Sequence, residues 1–207
     1  MESLNTSTPL MAISPLDGRY AKAMDSLRPF FSEYALMRYR VKVELQWLRK
    51  LFTDKIVTQD SEKLDILKNN DDYLNKIFAD FSEKDGLRVK EIEKTTNHDV
   101  KAIEYFLKEK FDQGPEGLSK IKEYLHFSCT SEDINNLSYA LMMSNALKEV
   151  LIPKLLDLQN HLYSLAKEYA DVPMMCRTHG QSATPSTIGK EMANFAYRLS
   201  RQVKKLA

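Results

Sequence analysis

Glycine and proline are scarce in this 207-residue chain, at six and seven residues. An architecture of many short strands needs turn residues every few positions, so a turn-rich β fold is disfavoured. Cysteine is scarcer still. Cys129 and Cys176 form no CxxC pair, which suits a reduced, cytosolic setting. No stretch approaches the run of about 20 apolar residues that a membrane span needs. The opening residues, MESLNTSTPLMAI, have neither a basic leader nor a continuous apolar stretch, so no signal peptide is expected. Neither sign of charge dominates. Thirty basic residues against 29 acidic ones leave a net charge of +1, which gives no general attraction to nucleic acid or to an anionic membrane. What is present, 43% apolar and 29% charged residues, is the composition of an ordinary soluble globular protein with length enough for a real core.

The periodicity along the chain is helical. After a loop-like ISPLDGRY (13–20), Leu36, Tyr39, Val43, Trp47 and Leu51 recur at spacings of three and four. An amphipathic segment over 60–85 carries Leu64, Leu67, Leu74, Ile77 and Phe81. Val100, Ile103, Leu107 and Phe111 then share one helix face, ended by Gly114-Pro115, with Thr95, Thr96 and Asn97 as cap candidates and Asp99 in the first turn. From Glu132 to about Tyr169 the pattern predicts one long helix of roughly 60 Å at about 1.5 Å per residue. In it Leu151, Leu155, Leu158, Leu162 and Leu165 form a stripe suited to lengthwise packing, and Pro153 predicts a kink. A last helix is expected from near Pro185 to the end of the chain, where no cap closes it, so a longer natural protein is expected. The reading is therefore all-α: an N-terminal helical domain over 1–119, with 1–12 as a flexible tail, and over 120–207 the first, incomplete part of a helical-bundle domain.

Three polar clusters stand at or near predicted helix starts: TTNHD (95–99), CTSED (129–133) and RTHGQSATPS (177–186). Free backbone N–H groups there favour anions, and His and hydroxyl side chains suit carboxylate or phosphate ligands. Gly18-Arg19-Tyr20 adds a guanidinium fork on a turn. Each has a plainer reading as ordinary caps or, for Arg19, a surface ion pair. His179 fits the plainer reading worst, because Thr178, Gly180 and Gln181 offer hydrogen bonds and close approach but little packing. Other chemistries lack their signatures. The four histidines form no HxxxH or HExxH pair, His126 with Cys129 is only two ligands, and GxGxxG, GxxxxGK[ST] and GxSxG are missing.

The stretches SPLDGRY, TTNHDVKAIEYFLKEK, HFSCTSEDINNLSYALM and MMCRTHGQSATPSTIGKEMANF closely resemble the bacterial-type adenylosuccinate lyase family of the fumarase/aspartase superfamily. The resemblance runs from about residue 13 to the end. RTHGQ alone marks only the wider lyase group, whereas TTNHD with TSEDINN is specific. Ser182 departs from the family, which usually has proline there, and removes no proposed functional group. The resemblance implies a cytoplasmic, all-α homotetramer with active sites shared between subunits, acting on a purine nucleotide without metal or organic cofactor. The implied reactions release fumarate from adenylosuccinate, giving AMP, and from SAICAR, giving AICAR. Residue by residue, Arg19 and Tyr20 look like contacts around the nucleotide phosphate. Asn97, His98 and Asp99 resemble a second substrate-binding segment, and Thr130 and Ser131 a third, holding a succinyl carboxylate. His179 matches the catalytic histidine. The family's base is a loop serine beyond residue 207, so residues 1–207 alone are expected to be inactive. Sister lyases acting on argininosuccinate, aspartate or fumarate/malate, and a non-catalytic helical assembly protein, are the alternatives.

Overall fold

A serine or aspartate ahead of an apolar-periodic run fixes where three of these helices begin, at Ser32, Asp60 and Ser82. The structure is a computed structural model describing residues 12–206, so the tail expected at 1–12 lies outside the described residues but for Ala12. A 3₁₀ turn, Ala21–Leu27, leads into the short α1 (Arg28–Phe31) and then the long α2 (Glu33–Thr53). The Ser32 side chain accepts from Ala35 N, and Glu33 complements the helix dipole in the first turn. The amphipathic stretch over 60–85 is broken at Asn70 into α3 (Ser61–Asn69) and α4 (Asp71–Ala79). Next comes α5 (Glu83–Thr96), opened by a capping box in which Ser82 and Asp85 satisfy each other's backbone N–H groups. It is followed by α6 (Asp99–Gln113).

The chain forms two compact units, Met1–Met143 and Ser144–Ala207. In the first, α2 packs on α4, α5 and α6. Leu45, Leu48 and Phe52 of α2 are buried with Leu74, Val89, Phe106, Leu107 and Phe111. At about 1.5–3 kcal/mol for each fully buried large side chain, this cluster is the main source of the unit's stability.

Beyond residue 130 the chain runs through α7 (Ser131–Ala146), a π-helical segment Leu147–Leu151 and α8 (Ile152–Glu168). The irregularity expected at Pro153 therefore takes the form of a π segment ending two residues before the proline, which has no N–H to donate into the preceding turn. The second unit holds α8 and α9 (Ile188–Leu206), which pack on each other. A Cβ on Gly189 would lie 2.4 Å from Ala166 O and 2.6 Å from Ala170 Cα, so only glycine allows that close approach.

One part of the sequence reading is corrected. The segment around Pro185 is a strand, and α9 starts at Ile188. Antiparallel β1 (Pro173–Thr178) and β2 (Gln181–Thr187) pair Pro173 with Thr187 and Thr178 with Gln181, leaving His179-Gly180 as a two-residue turn. Both turn residues have positive φ, 53° and 76°, as a type I′ hairpin requires. Apart from this hairpin the described residues are helices and their connections, so the all-α class holds.

Candidate active site

TTNHD is a corner between two helices. Asn97 ends α5 in the left-handed conformation, φ 49° and ψ 31°, which asparagine tolerates better than most residues. His98, in extended conformation, is the N-cap of α6, a role the sequence reading gave to Thr95, Thr96 or Asn97. Its Nδ1 accepts from Lys101 N at 3.1 Å, so that nitrogen carries no hydrogen and the ring hydrogen sits on Nε2. Nε2 meets Ser131 Oγ at 3.2 Å. The contact leaves the Ser131 hydroxyl hydrogen available to a ligand, on the first residue of α7.

Asp99 opens α6. Partial burial pushes its carboxyl up, but the Arg40 guanidinium beside it outweighs this and holds it below the usual aspartate value. Arg40 Nη2 donates to Asp99 Oδ2 at 2.6 Å and its Nε to Asn135 Oδ1 at 2.9 Å. Thr130 N donates to Asp133 Oδ2 at 2.8 Å, so the backbone at the start of α7 is tied to its own first turn. Arg40, Glu93, Asn97, His98 and Asp99 line part of a cavity of about 340 Å³.

The loop before CTSED is pinned from α2. His126 and Ser128 both adopt positive φ, 58° and 59°. The buried Glu44 carboxylate takes two bonds from His126, one from its backbone N (3.1 Å) and one from ring Nδ1 (2.6 Å). One turn along, Trp47 Nε1 donates to Phe127 O at 2.9 Å. The bond to Glu44 raises the His126 pKa against the opposing effect of burial. Burial, with Glu44 and Asp133 nearby, pushes the Cys129 thiol up to about 11, so it stays protonated at neutral pH and is no nucleophile.

The structure thus brings His98, Asp99 and Ser131 together, with Asn97 and Thr130 beside them in sequence. Arg19 and Tyr20 are exposed on the turn that follows Ser14, where the Arg19 guanidinium lies 5.7 Å from the Tyr20 ring centroid. No hydrogen bond or ion pair among the described residues joins them to that group. His179 belongs to the second unit, exposed at the hairpin tip, and nothing lies within 4 Å of a Cβ built on Gly180. Glycine is favoured there for its positive φ, since nothing in the chain itself crowds the position. Arg40, Glu44 and Asn135 escaped the sequence reading. Arg40 and Glu44 had one signal, two charged residues four apart within the apolar face of α2, and Asn135 on α7 had none. Among the described residues no group of three or more His, Cys, Asp or Glu is placed to hold a metal ion, and no helix is long and apolar enough to cross a membrane.

The pattern defining the lyase family matches residues 18–207. The chain belongs to the lyase family. Among curated relatives it is 52% identical to the adenylosuccinate lyase of Escherichia coli (strain K12) over 197 residues, covering 95% of this chain and 42% of that protein. The adenylosuccinate lyase of Haemophilus influenzae is 53% identical over the same shares, 95% and 42%. The chain therefore spans about 42% of the length of these relatives. In three dimensions it resembles a fumarate lyase from Mesorhizobium sp. BNC1, with TM-score 0.70 and 20% identity, over 88% of this chain and 39% of the other. It also resembles a 3-carboxy-cis,cis-muconate lactonizing enzyme from Pseudomonas putida, with TM-score 0.63 and 22% identity, over 87% and 38%. At these identities the likeness concerns the fold of a lyase-family protein alone.

Proposed function

We propose that the full-length protein is an adenylosuccinate lyase that eliminates fumarate from adenylosuccinate, giving AMP, and from SAICAR, giving AICAR. The observation that carries this is the 52% identity to an adenylosuccinate lyase over 197 residues, a stretch that contains nearly all the described chain. In the elimination, a base takes a proton from the carbon beside one succinyl carboxylate, the carbon–nitrogen bond breaks, and an acid protonates the departing nitrogen. The developing carbanion spreads its charge into that carboxylate, so preorganised donors there lower the barrier most. Ser131, whose hydroxyl hydrogen is left free by His98, and the Thr130 hydroxyl are suited to hold a succinyl carboxylate of the substrate in ground state and transition state alike. His179 is the acid, since an imidazole transfers protons near neutral pH without large tuning. The base comes from outside residues 1–207, so these residues alone are inactive. The reaction so written needs neither metal nor organic cofactor. The working protein is a cytoplasmic homotetramer with shared sites. Both curated relatives named above are adenylosuccinate lyases, which favours adenylosuccinate over argininosuccinate, aspartate or malate as the substrate.

The test is fumarate release by the full-length protein. Adenylosuccinate should be cleaved and AMP should raise Tm, while malate and argininosuccinate should do neither. Cleavage of argininosuccinate instead would overturn the assignment.

Arg19→Ala in that protein is expected to weaken AMP binding on the order of tenfold or more, because a charge-assisted contact to phosphate is lost. Calorimetric titration with AMP checks this. Unchanged affinity removes Arg19 from the phosphate site.

A further inference from the structure

Arg40 is 5% exposed, and burial alone does not make its ion pair stabilising. A buried ion pair is weak evidence for stabilisation, because an apolar side chain of similar volume often does as well. What distinguishes Arg40 is where its partners lie. Asp99, bonded at 2.6 Å, is the first residue of α6 and follows the cap His98. Asn135, bonded at 2.9 Å, lies on α7 one turn after Ser131 and on the same face. The fork therefore ties together the same two helix starts whose His98 Nε2 and Ser131 Oγ meet at 3.2 Å. Planar and fixed in geometry, a guanidinium sets a separation that a lysine ammonium on a flexible stem does not. Every one of these groups is in the first compact unit.

We propose that Arg40 is a positioning residue for substrate binding, bracing the starts of α6 and α7 at the spacing that lets His98 orient Ser131 toward a substrate carboxylate. This deepens the lyase reading above and rests on it. Arg40 touches no substrate. It acts through Asp99 and Asn135, and its loss shows in binding more than in turnover. Asp99 is half-exposed and can be solvated when its partner is removed, so the fold loses less than the site does.

Steady-state kinetics of the full-length protein with adenylosuccinate tests the brace. Arg40→Met keeps the stem and removes the fork. It should raise KM about tenfold or more while kcat changes less than about threefold. In a Ser131→Ala background the same substitution should add less than about twofold, because the contact it supports is already gone. Arg40→Lys should fall between parent and Arg40→Met. A parent-like KM in Arg40→Met, or full additivity with Ser131→Ala, overturns the proposal. If Arg40→Met does not fold, Asn135→Ala decides: a KM raised about threefold supports the brace and an unchanged KM overturns it. A parent protein that releases no fumarate overturns the lyase reading instead. The crystal structure of the full-length Arg40→Met variant then decides the brace. Separation of His98 Nε2 from Ser131 Oγ beyond hydrogen-bond reach supports it, and an intact contact overturns it.

Discussion

Replacing His179 by Asn in the full-length protein is expected to lower kcat by about 10²–10⁴-fold while leaving substrate binding nearly unchanged, the usual loss when a positioned acid is removed. Asparagine is the informative replacement because of the backbone. His179 sits at φ 53° as the first of two turn residues, and Asn-Gly is the preferred pair for such a turn, so the hairpin keeps its shape. The side chain is exposed, so no core packing is lost. What changes is the ability to donate a proton near neutral pH. Steady-state kinetics with adenylosuccinate checks the split. Near-normal kcat with a raised KM would make His179 a binding residue, and the acid would then have to be sought at His98.

Strong local periodicity is legible in the sequence, and pairing between distant residues is not. Leu36 to Leu51 announced α2, and Val100 to Phe111 announced α6, because a period of 3.6 is written in neighbouring residues. No helix was expected over 83–96 although Ser82-x-x-Asp85 opens α5, because its apolar positions are few, with Val89 and Ile92 the only large buried ones. The hairpin was missed because Pro185 also suits the first turn of a helix, while the turn signal lay in a single His-Gly pair. Of the candidate site, the motif clusters marked His98, Asp99 and Ser131. The braces behind them join residues far apart in the chain, Arg40 to Asp99 across 59 positions and Arg40 to Asn135 across 95, and no local pattern encodes such pairings. A charged residue inside an apolar face signals only that a partner exists.

Glu44→Ala is expected to release the loop that leads into Thr130 and Ser131, at a local cost of about 3 kcal/mol. Removing one member of a buried charged pair leaves the other without its counter-charge, and such losses run to about 3–5 kcal/mol. The lower end applies because the His126 side chain is 18% exposed and can recover some hydration. Two groups lose their acceptor at once, the backbone N–H and ring Nδ1–H of His126. The pairing also makes the loop sensitive to pH. With its pKa raised by Glu44, His126 contributes stability that is fully present below its ordinary value of 6.5 and is lost as pH rises through the folded value. Glu104 and Lys101 on α6 also act on the ring, the first raising its pKa and the second lowering it. Glu44 supplies the direct bond, so Glu44→Gln should keep an acceptor for the backbone N–H and abolish most of the pH dependence. Hydrogen exchange of the backbone amides in residues 122–131 of the full-length protein, corrected for intrinsic rates, is the measurement. Parent protein should lose protection in this segment as pH is raised above 6.5, and Glu44→Gln should be less protected at low pH and nearly flat. Equal pH dependence in the two proteins would show that the Glu44–His126 pair does not hold the loop, and that Trp47 and the turn geometry alone fix the approach to Ser131.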